Sequence, residues 1–428
     1  MRHRLRAFAT IAGLILLGAG AGATGAQAAG ARPVPAQWTQ LQAGPHHNAV
    51  FAGSSTPHSW SFLTGNIIVS GLSLVGHTLY AESFDHNLYA LDARTGREKW
   101  HFQAGNIIMT APIVADGLVV IGSGINDVAV ATPTRTVWAR PQGDAVYAVD
   151  AATGRLRWIH RTVGEDMPTP ALVDGRLVFS NGDDVVQALA LKTGAELWRL
   201  PVQGVGTMAS SAARGTRVFL VTGESPTSAV KPPVYTYAVD AITGKMLWKA
   251  PYGDADSSPT LGGGLVFVEG SETLKGVTGP DNTVNTVDAL SQATGRKVWG
   301  LTSPRGQLIT VGEQAVSGTY VNGVLYQSLP EAQEFAAIDA RTGKVLWMVR
   351  THAPAKTAPV VWQGRVLVGD TLGYFYAIDA RTGRILVVKR FPKGFNESVT
   401  IVAGATIYLA NGDTVYAMPV TRLAGPGA

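Results

Sequence analysis

Residues 88–100 read LYALDARTGREKW. The alternation in Leu88-Tyr89-Ala90-Leu91 suits a strand with one buried face. Asp92 to Gly96 reads as a tight turn, in which the carboxylate accepts from nearby backbone N–H groups and Gly96 takes the positive φ. The chain then returns through Trp100, so the unit is a hairpin with a tryptophan on its second strand. The same pattern recurs as VYAVDAATGRLRW, VQALALKTGAELW and YTYAVDAITGKMLW, ending at Trp158, Trp198 and Trp248. It returns as VNTVDALSQATGRKVW at Trp299, read with two extra residues before its Thr-Gly, and as EFAAIDARTGKVLW at Trp347. FYAIDARTGRILV carries Val387 in the tryptophan's place, and Trp60 in HSWSF stands without a preceding half.

From Trp60 the marked positions lie 40, 58, 40, 50, 51, 48 and 40 residues apart. Self-similarity at such periods is the mark of propellers and solenoids. A second turn signal precedes each hairpin, as in VADGLVV, VDGRLVF, VNGVLY and WQGRVLV. Each unit therefore reads as four strands, A to D. Seven units end at Trp100 through Val387. The segment SVTIVAGATIYLANGDTVYAMPV supplies three more strands, and the strand around Trp60 supplies the fourth. The expectation is an all-β, eight-bladed propeller whose termini share one blade, which removes the open sheet edges. The expected divisions are a signal at 1–28, a lead at 29–56, the propeller at 57–420 and a tail at 421–428.

The repeat resembles the pyrroloquinoline-quinone-type (PQQ-like) propeller repeat with its tryptophan docking motif, over nearly the whole chain from Trp60 to about Pro419. The resemblance implies that Trp60, Trp100, Trp158, Trp198, Trp248, Trp299 and Trp347 dock one blade onto the next. They are then structural residues.

The N-terminus adds a destination. Arg2, Arg4 and Arg6 precede an apolar run from Ala7 to Leu17, and Ala26-Gln27-Ala28 offers a cleavage site. This is the grammar of a secretory signal cut near Ala28, leaving a periplasmic or extracellular chain with no membrane span. The net charge of +5 owes three units to those arginines. The +2 left is no footprint for nucleic acid. The chain has no cysteine, which excludes disulfides, thiolate metal sites, thiol nucleophiles and a lipidated cysteine.

The turns joining A to B and C to D are uniformly short. Length variation falls on B–C loops and D–A connections, which share the opposite face, as in residues 123–144 and the segments from Gly223, Gly270 and Thr302. Function is expected on that loop face. D–A connections lead into the innermost strands, so their last residues line the mouth of the central channel. Aligned on the A–B glycine, they bring Asp256, Lys356, Asn396 and Glu397 to the mouth. Glu165, Asp166, Asp254, Glu313, Gln314, His352, Asn66 and Asn106 stand slightly further out. Acids in such a mouth can serve as general acids or bases. Asp256 with Glu165, Asp166 and Lys356 forms the candidate catalytic set. His46-His47 in the lead is expected to be exposed.

Three branches of the resembled family bear on activity. Quinoprotein alcohol dehydrogenases hold quinone and calcium against a vicinal cysteine pair, and the absence of cysteine counts against that site. No metal site is read from the sequence, and no cofactor is expected. Tetrathionate hydrolases share the architecture without a quinone and imply an acid at the channel mouth. BamB-type assembly factors share the size and the export signal, but are anchored through a lipidated cysteine. The first reading is a monomeric, non-catalytic scaffold that binds a protein partner or small ligand on its loop face. The alternative is an exported enzyme with its site at the channel mouth.

Overall fold

The structure, a computed structural model, describes residues 41–124, 128–131, 136–139, 144–162, 168–182, 184–204, 206, 208–223, 234–254, 256–273, 283–303 and 317–425. It is an eight-bladed β-propeller. Blade one comprises Leu72–Val75, Thr78–Glu82, Asn87–Asp92 and Glu98–Gln103, hydrogen-bonded in that order. Blades two to seven repeat this arrangement, and blade two carries an added hairpin, Val128–Ala131 with Thr136–Ala139. The A strands neighbour one another in a ring that returns from blade eight to blade one.

Blade eight is built from both ends of the chain. Ile401–Ala403, Thr406–Asn411 and Thr414–Pro419 pair in sequence, and Trp60–Leu63 joins the last of them antiparallel. A fifth strand, Val50–Phe51, runs parallel to Ile401–Ala403 on the inside.

The C–D hairpins share one construction. In blade one, Asp92 Oδ1 accepts from the Thr95 amide and hydroxyl at 2.8 Å each, and Gly96 has φ 72°. Opposite, the register slips by one residue between Ala90 and Leu91, a bulge that recurs at the equivalent alanine in blades two to seven. Blade five obeys the same register, with Ala289 opposite Trp299, as Ala90 lies opposite Trp100. Its turn therefore contains no extra residues. Ser291 occupies the place of the turn aspartate, and Asp288 lies three residues earlier, on the strand.

The tryptophans dock as the resemblance implied. Each indole N–H donates to a carbonyl of the next blade's C–D turn. The acceptors run from Ala93 for Trp60, at 3.0 Å, through Ala151, Leu191, Ala241 and Gln292 to Ala340 and Ala380 for Trp347. Each ring also lies over the turn glycine. A Cβ on Gly96, Gly154, Gly194, Gly244, Gly295, Gly343 or Gly383 would stand within 3.0 Å of it. Val387 breaks the series for a physical reason. In blade eight, strands C and D come from distant parts of the sequence and no turn joins them, so there is no turn to dock on. The short helix Thr421–Ala424 packs there instead, with Leu423 and Ala424 buried and Gly425 against Val387.

The lead does not hang free. Residues 45–51 cross the inner faces of four blades in turn. Pro45 O accepts from Leu261 N–H, and His46 O from Tyr320 N–H. The Asn48 side chain makes both bonds to the Val361 backbone, at 2.8 and 3.2 Å, and Ala49 O accepts from Val402 N–H. His46 is exposed, but His47 is buried, contrary to expectation. Its ring meets the Thr260 hydroxyl at 3.1 Å, and its carbonyl accepts from Thr319 Oγ1. Burial holds the imidazole pKa down at about 4, so it is neutral.

Candidate active site at the channel mouth

The inner ends of the D–A connections are stitched together by hydroxyl groups. The Ala111 amide donates to Thr169 Oγ1, Thr169 N–H to Ser210 Oγ, and Ser210 N–H to Ser258 Oγ, from one blade to the next. In blade one a buried acid does this work. Glu82 Oε1 accepts from the amides of Val69, Ser70 and Gly71 at 2.8, 2.7 and 3.1 Å. Desolvation still lifts its pKa to about 8, against those three donors. The Asp85 charge adds to the rise, no cation among the described residues offsets it, and a neutral carboxyl loses little by burial.

Into this rigid collar project three residues that the sequence placed at the mouth. Asp256 and Glu397 line one cavity with Ser70, Met208, Ser210, Ser258, Ser317 and Ala358, and Leu41 from the lead adds an apolar wall. Lys356 Nζ lies 3.8 Å from Glu397 Oε1, and both side chains are largely buried, at 12% and 19% exposure. The cavity measures about 20 Å³, room for about one water. Burial raises the Glu397 pKa to about 7; Asp256 pushes the same way, and Lys356 opposes both. A carboxyl poised near neutrality, a second carboxyl, an ammonium and a water-sized space are the parts of a hydrolytic site.

The other expected residues are placed differently. Asp254 closes a local turn, its Oδ1 accepting from the Asp256 amide at 3.1 Å, and so shapes the backbone that presents Asp256. Asn66 and Asn106 each bond the following amide through their own Oδ1, and Asn106 also donates to Asp144. Asn396 donates to Ile68 O at 3.4 Å, beside the cavity. His352 stacks on Tyr374 at 4.1 Å and meets the Tyr376 hydroxyl, which donates to buried Asp370 at 2.6 Å. Glu165, Asp166, Glu313 and Gln314 lie outside the described residues. Sequence reasoning missed Glu82, Glu269 and Asp370, buried acids at the loop-face ends of B strands. Their signal was present, because each interrupts or ends a strand of apolar and small residues.

These features define a PQQ-like repeat propeller with a polar channel mouth. The chain belongs to the family described as outer membrane protein assembly factor BamB, whose model matches residues 36–134, 122–233 and 234–419. It is 26% identical to a tetrathionate hydrolase of Acidithiobacillus ferrooxidans, over 91% of this chain and 87% of that protein. The fold matches BamB from Moraxella catarrhalis at 16% identity, with a TM-score of 0.63 over 85% of this chain and 99% of that one. It also matches a quinohemoprotein alcohol dehydrogenase from Comamonas testosteroni at 13% identity, with a TM-score of 0.65 over 92% and 81%.

That last fold neighbour raises the question of a quinone. The channel-mouth cavity of about 20 Å³ holds about one water, so it does not enclose a tricyclic ring system, and any substrate larger than water has to lie over it and not within it. No step is drawn through such a group. Among the described residues no group of three or more acids and histidines is placed to hold a metal. Among them, too, no helix is long and apolar enough to cross a membrane.

Proposed function

We propose that the chain is an exported hydrolase of a sulfur oxyanion of the tetrathionate class, working at the channel mouth. The observation that carries this reading is the pairing of Asp256 and Glu397 on one water-sized cavity, with Lys356 Nζ 3.8 Å from Glu397. The likeness to a tetrathionate hydrolase along most of both chains supports it.

The roles follow from charge. Asp256 takes a proton from the enclosed water as its oxygen bonds to a sulfonate sulfur. The adjacent sulfur–sulfur bond breaks, and its electron pair leaves on the departing sulfur chain. Glu397, protonated below its pKa of about 7, returns a proton to that chain. Hydrogen sulfate and a protonated sulfane-sulfonate are the balanced products. Lys356 holds the substrate's negative charge. With Glu397 neutral the three groups sum to zero; once Glu397 ionises they sum to −1 and repel a dianion. Activity therefore falls as pH rises through about 7.

Incubating the purified protein with tetrathionate and following sulfate by ion chromatography tests the reading. Turnover that disappears in Asp256→Asn supports it, and no turnover across pH 3 to 8 overturns it.

A scaffold role has one observation in its favour. Leu63, Ile67 and Leu372 are exposed toward the loop face, at 67%, 37% and 55%. Capture of an envelope protein by the wild type, lost in Leu63→Ser with Leu372→Ser, would establish that role.

A further inference from the structure

Five residues after the docking tryptophan, the chain leaves strand D and offers a backbone N–H toward strand C of the next blade. Gly105 donates there to the Tyr147 hydroxyl at 3.1 Å, Gln203 to Tyr237 at 3.0 Å and His352 to Tyr376 at 2.9 Å, while Gly65 donates to Asp85 Oδ2 in the loop before strand C. Gly253 is the equivalent residue after Trp248. Its N–H has no partner among the described residues, and it opens on a cleft of about 350 Å³.

The cleft exists because blade five departs from the repeat at three linked positions. Tyr89, Tyr147, Tyr237 and Tyr376 occupy the strand C site facing the residue that follows the tryptophan, or Val387 in blade seven. In blade five that site is Asp288, facing Gly300. Lys297 reaches back to Asp288 at 2.6 Å and lies over the Tyr252 ring at 4.8 Å. A Cβ on Gly300 would collide with both members of that pair, so glycine makes room for them. The phenol is missing, while the N–H it would cap and a carboxylate remain.

The molecule itself shows what fits between such groups. Tyr376 OH accepts from His352 N–H and donates to Asp370 Oδ2 at 2.6 Å. In blade one, Tyr89 OH donates to Asp85 Oδ2 at 2.7 Å. We infer that the blade-five cleft binds a phenol. Its hydroxyl accepts from Gly253 N–H and donates to Asp288, and its ring lies in the cleft beside Tyr252. A cleft of about 350 Å³ is ample, since roughly 150 Å³ holds benzene. This inference stands apart from the reaction at the channel mouth.

The test is an amide-resolved NMR titration of the full protein with p-cresol, with toluene as control. p-Cresol is expected to shift the Gly253 amide saturably in the millimolar range, and toluene is not. Asp288→Tyr restores the repeat residue, fills the cleft and is expected to abolish the shift. Asp288→Ala copies Ala336 of blade six, so it keeps the fold. It is expected to weaken p-cresol about five- to tenfold, the loss of one hydrogen bond. Absence of a saturable shift, equal binding of toluene, or undiminished binding by Asp288→Ala would each overturn the inference. N-acetyltyrosinamide separates two sources of the phenol. Binding equal to p-cresol points to a tyrosine of a partner chain, and binding of p-cresol alone points to a free small molecule.

Discussion

The outer girdle and the channel mouth are made by the same repeat in opposite ways. In the girdle, seven tryptophans make one contact seven times, with the same donor, the same turn carbonyl and the same glycine beneath the ring. At the mouth, equivalent offsets hold different residues, and the acids and lysine each occur where blades one and two have Ile68, Val69, Met109 and Thr110. Repetition builds the ring, and departure from repetition gathers ionisable groups at its mouth. The two regions should therefore fail differently under substitution.

The largest effect is expected at the mouth and on rate alone. Asp256→Ala should cut tetrathionate turnover by about 10²–10⁴-fold, the usual contribution of a positioned base, while the urea midpoint stays put. A matching loss of stability would erase the distinction between the regions.

The girdle should show the converse. Gly194 and Gly175 have nearly equal backbone strain, φ 69° and 71°, but only Gly194 lies under a tryptophan, Trp158. Gly175→Ala should cost about 1–2 kcal/mol for the left-handed conformation. Gly194→Ala should cost about 1–3 kcal/mol more, from forced overpacking. Equal urea midpoints for the two variants would show that docking contributes little.

Glu397 links stability to acidity. Its pKa is raised from 4.5 to about 7 in the folded chain. The stability it contributes is therefore complete below pH 4.5 and lost as pH climbs through 7. Glutamine mimics the protonated acid, so Glu397→Gln should escape that loss. The two proteins should diverge by up to about 3 kcal/mol at pH 8 and converge at pH 4. Denaturation curves at the two pH values measure this, and parallel behaviour would mean the carboxyl is better solvated than its burial implies. The last expected effect is at the seam. Val387→Trp meets the helix Thr421–Ala424 instead of a turn and should cost about 1–3 kcal/mol by overpacking. A gain in stability would show that a tryptophan can dock there without a turn.

Much of this was legible in the sequence. The blade count, the shared eighth blade and the docking tryptophans follow from a pattern that repeats, and each copy checks the others. Asp256, Lys356 and Glu397 were found because alignment on the A–B glycine carries real geometry. What stayed hidden depends on contacts without a period. His47 looks like a polar lead residue until Thr260 and Thr319, more than 200 residues away, enclose it. Blade five was misaligned because Val-Asp at 287–288 imitates the Val-Asp of other blades, and only strand register showed Ser291 in the turn. Glu82 carries no loop signal, because its carboxyl stands at the end of a strand and reaches back to the D–A connection.

The lead and the Trp60 strand also set an order in time. They are synthesised first, yet their partners are the inner strands of blades five to eight and the strand Thr414–Pro419, which are synthesised last. The ring therefore cannot shut while the chain is emerging. Seven blades must wait with an open seam, and closure depends on contacts separated by hundreds of residues, the slowest kind to form. A chain cut before Ile401 would lose the seam and the lead's last anchor together. Emergence of the strand Thr414–Pro419 acts as the trigger that encloses the channel mouth.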